Sequence, residues 1–416
     1  MNYSFNSDFS TEGYLLDVNH LSSSSAQYID RIVPPNETVR RASWSFEQLG
    51  ITRIADQTGL DRIGIPCFAA FRPNSKTLAN SQGKGVSREA ARASAVMEAV
   101  EHSIAENQYI PTLLGNIKEL SERGQTLVDI RHLLPIGETI PDNKNLKWVK
   151  GYNLASQDAV LIPFDAVNID GKDTDLIGIC KSTNGLASGN CEEEAIFHGL
   201  CELIERDAGS LWSLKSKEIQ ALTAIDPTTW KDKTVVELFQ KVENAGLSMK
   251  LFDHTSDIGM PCVMAVIGEI GKDEYQHFDL AAGYGAHPIS SRAAIRAITE
   301  AAQTRITSIA GSRDDIDPDT YSEIATLEHI ELLEVKATPN RSMSKGMPIR
   351  TSLSELLNYT MLALRKAGIE DVFAFPLCGD EFDFSVMKLV VLPLEDREAN
   401  SNWRPNIRAL EVMLAA

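Results

Sequence analysis

The amino-acid sequence predicts an α+β protein in which mixed sheets pack against long helices and a unit recurs along the chain. Three stretches, 86–107, 191–213 and 290–310, carry apolar residues at helical spacing, and each opens on a turn rich in Gly or Ser: SQGKGVS, LASGN and GYGAHPISS. Two later stretches share the order helix, Ala-Gly stop, strand, loop, strand: KVENAGLSMKLFDH followed by PCVMAVIGE, and LRKAGIEDVFAFPL followed by FSVMKLVVLPLE. Helices alternating with strand pairs over such distances build mixed layers rather than a bundle or a sandwich.

Taken in order, residues 1–45 are polar and include SSSS at 22–25, which predicts a loosely ordered lead-in docked on the body, residues 46–416. Regular patterning begins near Ser45, and Ser87 is placed to cap the first long helix. The stretch 109–150 is the least patterned and reads as a short helix, loops and a strand near Lys147 to Tyr152. Gly246 and Gly368 stand where a helix C-terminus needs a positive φ, and residues 350–400 form a C-terminal α/β segment.

Composition narrows the partners. With 43% apolar residues the 416-residue chain can bury a substantial core. Its 58 acidic against 40 basic residues, a formal charge of −18, repel a phosphate backbone and exclude nucleic acid or an anionic membrane as the main partner. A phosphorylated small ligand therefore needs local Arg, Lys or metal. The six cysteines form no C-x-x-C pair and no zinc-type spacing, which predicts reduced thiols and a cytoplasmic protein. The N-terminal stretch lacks a basic and an apolar signal region, and no apolar run matches a bilayer.

A spacing count points to chemistry. Each long helix carries Ala, then Glu seven residues later, then Glu or Gln after three more: Ala91, Glu98, Glu101; Ala195, Glu202, Glu205; Ala293, Glu300, Gln303. On a 3.6-residue helix Ser94, Glu98 and Glu101 share a face, as do Glu194, His198, Glu202 and Glu205, and Arg292, Arg296, Glu300 and Gln303. A Glu-rich face is ordinarily a solvated one, and Glu192, Glu193 and Glu194 suit the helix dipole. Solvated faces mix signs, however, whereas the first stripe is flanked by small residues. Carboxylates clustered without counter-charges suit Mg2+, with Arg206, Arg292, Arg296 and Gln303 available to phosphate oxygens. Phosphate-loop, dinucleotide and kinase motifs are absent, so a Mg-nucleotide would be held by side chains on helices. His102, His198 and His287 read as structural or supporting histidines, Cys191 and Cys201 as structural thiols, and Lys84 as a phosphate contact or a turn cap.

Read together, SREAARASAVMEAVEH, STNGLASGNCEEEAIFHGLCELIERD and SRAAIRAITEAAQTR resemble the three ATP-binding signatures of YcaO enzymes: S-x3-E-x2-E, then N-G and E-x7-E-x2-E-R, then R-x3-E-x2-Q. The resemblance covers about residues 50–395. It implies a YcaO-like fold with an ATP and Mg2+ pocket lined by Ser94, Glu98, Glu101, Glu194, Glu202, Glu205, Arg206, Arg296, Glu300 and Gln303, and by Ser182, Asn184 and Ala187 in the turn before the second helix. It further implies Glu98, Glu101, Glu194, Glu202 and Glu205 as metal ligands and Glu202, Glu205 and Arg206 at the chemistry. One departure is His102, where many members carry Arg after the second Glu.

YcaO enzymes are similar in one reaction: a nucleophile adds to a peptide carbonyl, ATP phosphorylates the resulting oxygen, and phosphate leaves. An internal Cys, Ser or Thr gives an azoline, and external sulfide gives a thioamide. Azoline-forming relatives often end in a proline-rich tail, whereas NIRALEVMLAA has no Pro after Pro405. TGLDRIGIP and AGSRDD resemble the thioamide-forming branch paired with TfuA-like proteins. The resemblance therefore implies thioamidation first, azoline formation second, and, from another class, a non-catalytic nucleotide-binding accessory subunit. The implied partners are a peptide or protein substrate and a TfuA-like or other sulfur-delivery or peptide-recognition protein, with a homodimer left open.

Overall fold

A computed structural model describes residues 30–415 apart from 108, 173, 272–274, 277–278, 314, 325–326, 344–345 and 350. Among these residues the strands fall into three sheets. One has three antiparallel strands, Arg53–Asp56, Cys67–Phe71 and Asn80–Lys84. A second joins Ser248–Asp253, Cys262–Gly268 and Leu280–Ala286, also antiparallel. The largest runs Thr126–Leu127, Ala159–Pro163, Leu146–Asn153, Phe373–Pro376, Ser385–Val390, Leu186–Gly189, with Leu113–Gly115 beside Leu146–Asn153. Its one parallel pair is Thr126–Leu127 with Ala159–Pro163.

The three long helices span Arg88–Ala105, Glu192–Ser213 and Ser290–Ala310, close to the expected ranges. Ser87 caps the first, accepting from the Ala90 amide at 3.2 Å. Each follows the edge strand of a different sheet, Asn80–Lys84, Leu186–Gly189 and Leu280–Ala286, and packs on it. That strand-helix pair is the recurring unit.

Its repeated alanine has a steric cause. Gly83, Ala187 and Gly285 each precede the motif alanine by eight residues, and Ala91, Ala195 and Ala293 are all fully buried. A Cβ on Gly83 would lie 2.0 Å from the Ala95 nitrogen and 2.4 Å from the Ala91 oxygen; one on Gly285 would lie 2.2 Å from the Ala293 oxygen. The helix backbone therefore lies directly on the strand in the first and third units, which brings its carboxylate face inward over the strand end.

Elsewhere the segments follow expectation with local differences. The two helix-stop-strand-loop-strand stretches are Lys233–Asn244 with Ser248–Asp253 and Cys262–Gly268, and Leu353–Lys366 with Phe373–Pro376 and Ser385–Val390. Gly246 and Gly368 have φ of 69° and 79°. Within 109–150 the helix Ile117–Glu122 and the strand Leu146–Asn153 were expected; the short strands Leu113–Gly115 and Thr126–Leu127 were not. The lead-in differs more. Residues 1–29, with the serine run, lie outside the described residues, but Pro35–Ser43 is a helix whose Val39 and Ala42 are buried in the core shared with the first long helix. Its Pro at the start and Glu37 in the first turn are ordinary helix-opening residues. No helix among the described residues is long and apolar enough to cross a membrane.

Candidate active site

The last motif position of each helix reaches the strand of the next unit. Glu101 Oε1 accepts from the Ser188 amide at 2.8 Å and its hydroxyl at 2.7 Å. Glu205 Oε2 accepts from the Ala286 amide at 2.9 Å. Gln303 Nε2 donates to the Gln82 carbonyl at 3.0 Å, closing a ring from first unit to second, second to third and third to first. The third position is Gln rather than Glu for a physical reason: the strand presents a carbonyl there, which an amide can donate to and a carboxylate would repel. Lys84 strengthens the closure by donating to Glu300, which also accepts from the Tyr284 amide at 3.3 Å.

Inside this ring the carboxylates act on one another. Glu205 is buried, while Glu98, Glu101, Glu202 and Glu300 are partly exposed. Desolvation pushes Glu98 up to about 7, against the pull of Lys84 and Arg313, and Glu101 up to about 8, against its bonds from Ser188. Glu202 is likewise pushed by desolvation to about 7, against Arg206. Glu205 is raised by desolvation and then by Glu300, with Arg296 opposing. Glu300 alone of the set is lowered, because Lys84 and Arg206 outweigh its burial. Arg206 is burdened by burial, but Glu300, Glu202 and Glu205 hold its charge firmly. Arg296 Nη2 stands 3.7 Å from Glu205, and its Nε is buried without a partner.

Other expected residues fall around this centre. Ser94 is half-buried one turn before Glu98, and Ala187 lies buried in its edge strand opposite Met387. Ser182 Oγ accepts from the Asn184 amide at 3.0 Å, and Asn184 Oδ1 is buried without a partner. Glu194 is not brought to the other carboxylates. It is fully buried and already engaged, accepting from Asn190 Nδ2 at 2.9 Å, from Arg31 at 2.7 Å and from the Ile32 amide at 3.1 Å. Asp30 lies beside Arg292, 3.2 Å from its Nε, so the end of the lead-in fastens to the second and third helices.

His102 is buried and pushed down to about 4 by desolvation and then by Arg72, so it carries no charge at neutral pH. His198 is buried with both ring nitrogens unpartnered, and its pKa is pushed well down by burial. His287 accepts from the Ile289 amide through Nδ1 at 2.9 Å. Burial raises the Cys191 thiol and lifts Cys201 to about 12, leaving both unreactive. Sequence reasoning missed Lys388, buried beneath the 182–185 turn, and Asp30 and Arg31. The only signal for Lys388 was a single charge inside the apolar run VMKLVVL.

This donor set fits a ligand that carries both a divalent cation and oxyanions. Carboxylates raised by desolvation, Glu98, Glu101 and Glu202, stand with the cations Lys84, Arg206 and Arg296, and two buried polar atoms, Asn184 Oδ1 and Arg296 Nε, have no protein partner. Among the described residues no three His, Cys, Asp or Glu side chains form a ready-made metal cluster, so the five expected glutamates do not make one coordination sphere. Mg2+ requires none, since one or two carboxylates with phosphate and water complete its shell.

Residues 82–394 match the model of the YcaO cyclodehydratases, ATP- and Mg2+-binding. An uncharacterized protein encoded in the tfuA 3′ region of Rhizobium leguminosarum bv. trifolii is 34% identical over 407 residues, covering 96% of this chain and 97% of the relative. An uncharacterized protein of Methanothermobacter thermautotrophicus is 34% identical over 378 residues, 87% of this chain and 94% of its own. The fold is similar to that of YcaO from Methanopyrus kandleri bound with AMPPCP and Mg2+, with a TM-score of 0.68 and 23% identity over 91% of this chain and 95% of that one. It is also similar to a heterocyclase in complex with substrate and cofactor, with a TM-score of 0.70 and 18% identity over 90% of this chain, which spans only 54% of the heterocyclase. The chain belongs to the YcaO family of ATP- and Mg2+-dependent peptide-modifying enzymes.

Proposed function

We propose that this enzyme installs thioamides in a peptide or protein backbone, working with a TfuA-like partner that delivers sulfur or substrate. The observation that carries the nucleotide part is the closed ring of Glu101, Glu205 and Gln303, with desolvated, proton-holding carboxylates and the cations Lys84, Arg206 and Arg296 gathered at it. The choice of thioamide is supported by the position of the Rhizobium relative's gene in the tfuA 3′ region.

In this reading Glu98, Glu101, Glu202 and Glu205 supply the carboxylates for Mg2+, and Lys84, Arg206 and Arg296 receive the phosphates. Bound Mg·ATP supplies the phosphoryl group that makes the oxygen of the attacked amide a leaving group. The side chains position and neutralise. Arg206 is pre-aimed, because Glu300, Glu202 and Glu205 surround it before any ligand arrives, so little reorganisation is left for the reaction. Glu202 and Glu205, one turn apart, both act electrostatically on that guanidinium. Ser182, Asn184 and Ala187 shape the turn and strand at the edge of the pocket, and Ser94 and Gln303 complete its wall.

Azoline formation is the second reading, supported by the likeness to the heterocyclase. Intact mass of a precursor co-expressed with this chain and its partner separates the two. A gain of sulfur for oxygen means a thioamide; a loss of water means an azoline. Phosphate release from ATP that depends on peptide and partner tests the enzymatic reading against an accessory subunit, which would bind nucleotide without turnover.

A further inference from the structure

We infer that Lys388 is a positioning residue of the nucleotide site, acting through the Ser182–Asn184 turn. The inference rests on the reading of that site as a Mg·ATP pocket and adds to it a residue outside the three helices. Lys388 lies in the interior strand Ser385–Val390, opposite Leu186 on one side and Phe375 on the other, between buried Met387 and Leu389. A lysine in such a strand is costly, and it is 5% exposed. What it gains is visible: Nζ donates to the Ser182 carbonyl at 2.6 Å and the Asn184 carbonyl at 2.7 Å.

Tethering alone does not require this charge. The same turn is already fastened by backbone bonds, Leu186 N to Thr183 O and Leu389 N to Gly185 O, both at 2.7 Å, and Gly185 takes the positive φ of 75° that lets the chain pass close to Leu389. The ammonium adds two things. It fixes Ser182 and Asn184 individually, and Asn184 carries the buried Oδ1 that no protein donor satisfies. It also sets a positive charge behind the turn: burial pushes the ammonium down to about 8, and Glu202 of the pocket, Asp396 of the C-terminal segment and Cys180 act to keep it protonated. A methionine would fill the strand position as well, but it would leave two carbonyls bare and the turn free to shift relative to Glu202.

The test uses the full chain, a non-hydrolysable ATP analogue with Mg2+, and thermal melting. Wild type binds; failure there overturns the Mg·ATP reading itself. Lys388→Met is expected to bind about tenfold more weakly with its melting temperature within a few degrees of wild type, and Lys388→Arg, which can still reach both carbonyls, to stay within about threefold. Combined with Asn184→Ala, Lys388→Met adds little further loss, because both act through one turn. Wild-type affinity in Lys388→Met, losses that add fully with Asn184→Ala, or a loss that only tracks unfolding would overturn the inference. If Lys388→Met does not fold, Lys388→Gln replaces it and must lose affinity while Lys388→Arg keeps it; the reverse order overturns it.

Discussion

Cation binding at this site must expel protons, and the amount follows from the carboxylates. At pH 7, Glu98 and Glu202, each near 7, are about half protonated, and Glu101, near 8, is about nine-tenths protonated. From these three alone a Mg-nucleotide releases about two protons at pH 7, about three at pH 6 and almost none at pH 9.5, and Glu205, also raised, adds to the count. Titration calorimetry of Mg2+ with a non-hydrolysable ATP analogue, repeated in buffers of different ionisation enthalpy, reads that number directly. Stability moves in the same window. Folded values near 7 to 8 lie above the ordinary 4.5, so the folded chain holds more protons than the unfolded one between those limits. The ligand-free protein is thus stabilised most below about pH 4.5 by these groups and loses that contribution as pH rises through 8, while bound Mg-nucleotide restores it. Proton release that is zero at pH 7, or that does not change between pH 6 and 9.5, would refute the assignment of these side chains to the cation.

Further outcomes follow from other parts of the structure. Glu202→Gln should abolish peptide-dependent phosphate release while melting as wild type, as judged by a phosphate assay beside a thermal scan. Gly83→Ala forces a Cβ to 2.0 Å from the Ala95 nitrogen and should cost about 3 kcal/mol or more by denaturant titration. At Gly246, where a Cβ meets nothing within 4 Å and only the positive φ resists, Ala should cost about 1 kcal/mol in the same assay. Arg72 and Glu106 form a buried pair at 2.8 Å, 2% and 4% exposed, so Arg72→Met should destabilise by about 3–5 kcal/mol, with relief when Glu106→Gln is added.

Much of the site was legible because its chemistry repeats. The Ala-x6-Glu-x2-Glu/Gln spacing marked three helices, and the structure supplies the reason for each term: alanine where the backbone presses on a strand, the first carboxylate toward the pocket, and the second bonded to the neighbouring unit. The exception at Gln303 carried information too, since it matches a carbonyl on the facing strand. Periodicity did not reach features set by distant packing. The helix Pro35–Ser43 is short and polar on average, and its few apolar residues are committed to a distant surface, Val39 and Ala42 being buried in the core shared with the first long helix. Glu194 shared a face with His198, Glu202 and Glu205, yet it sits two turns nearer the helix start, where Arg31 and Asn190 take it. Helical spacing places residues on a face but says nothing of what else arrives there. Lys388 was hidden for the same reason, because its carbonyl partners lie more than two hundred residues away along the chain.

Under the proposed function, carboxylates of the first and second long helices and the cations Lys84, Arg206 and Arg296 hold one magnesium-bound nucleotide. Equilibrium binding of a non-hydrolysable ATP analogue, with Mg2+ and with a chelator, to wild type and to a Glu98→Gln, Glu202→Gln double variant tests it most directly. One site per chain, dependence on Mg2+, and loss of binding in a double variant that still folds are expected. Equal binding by that variant, or binding indifferent to the metal, would contradict it.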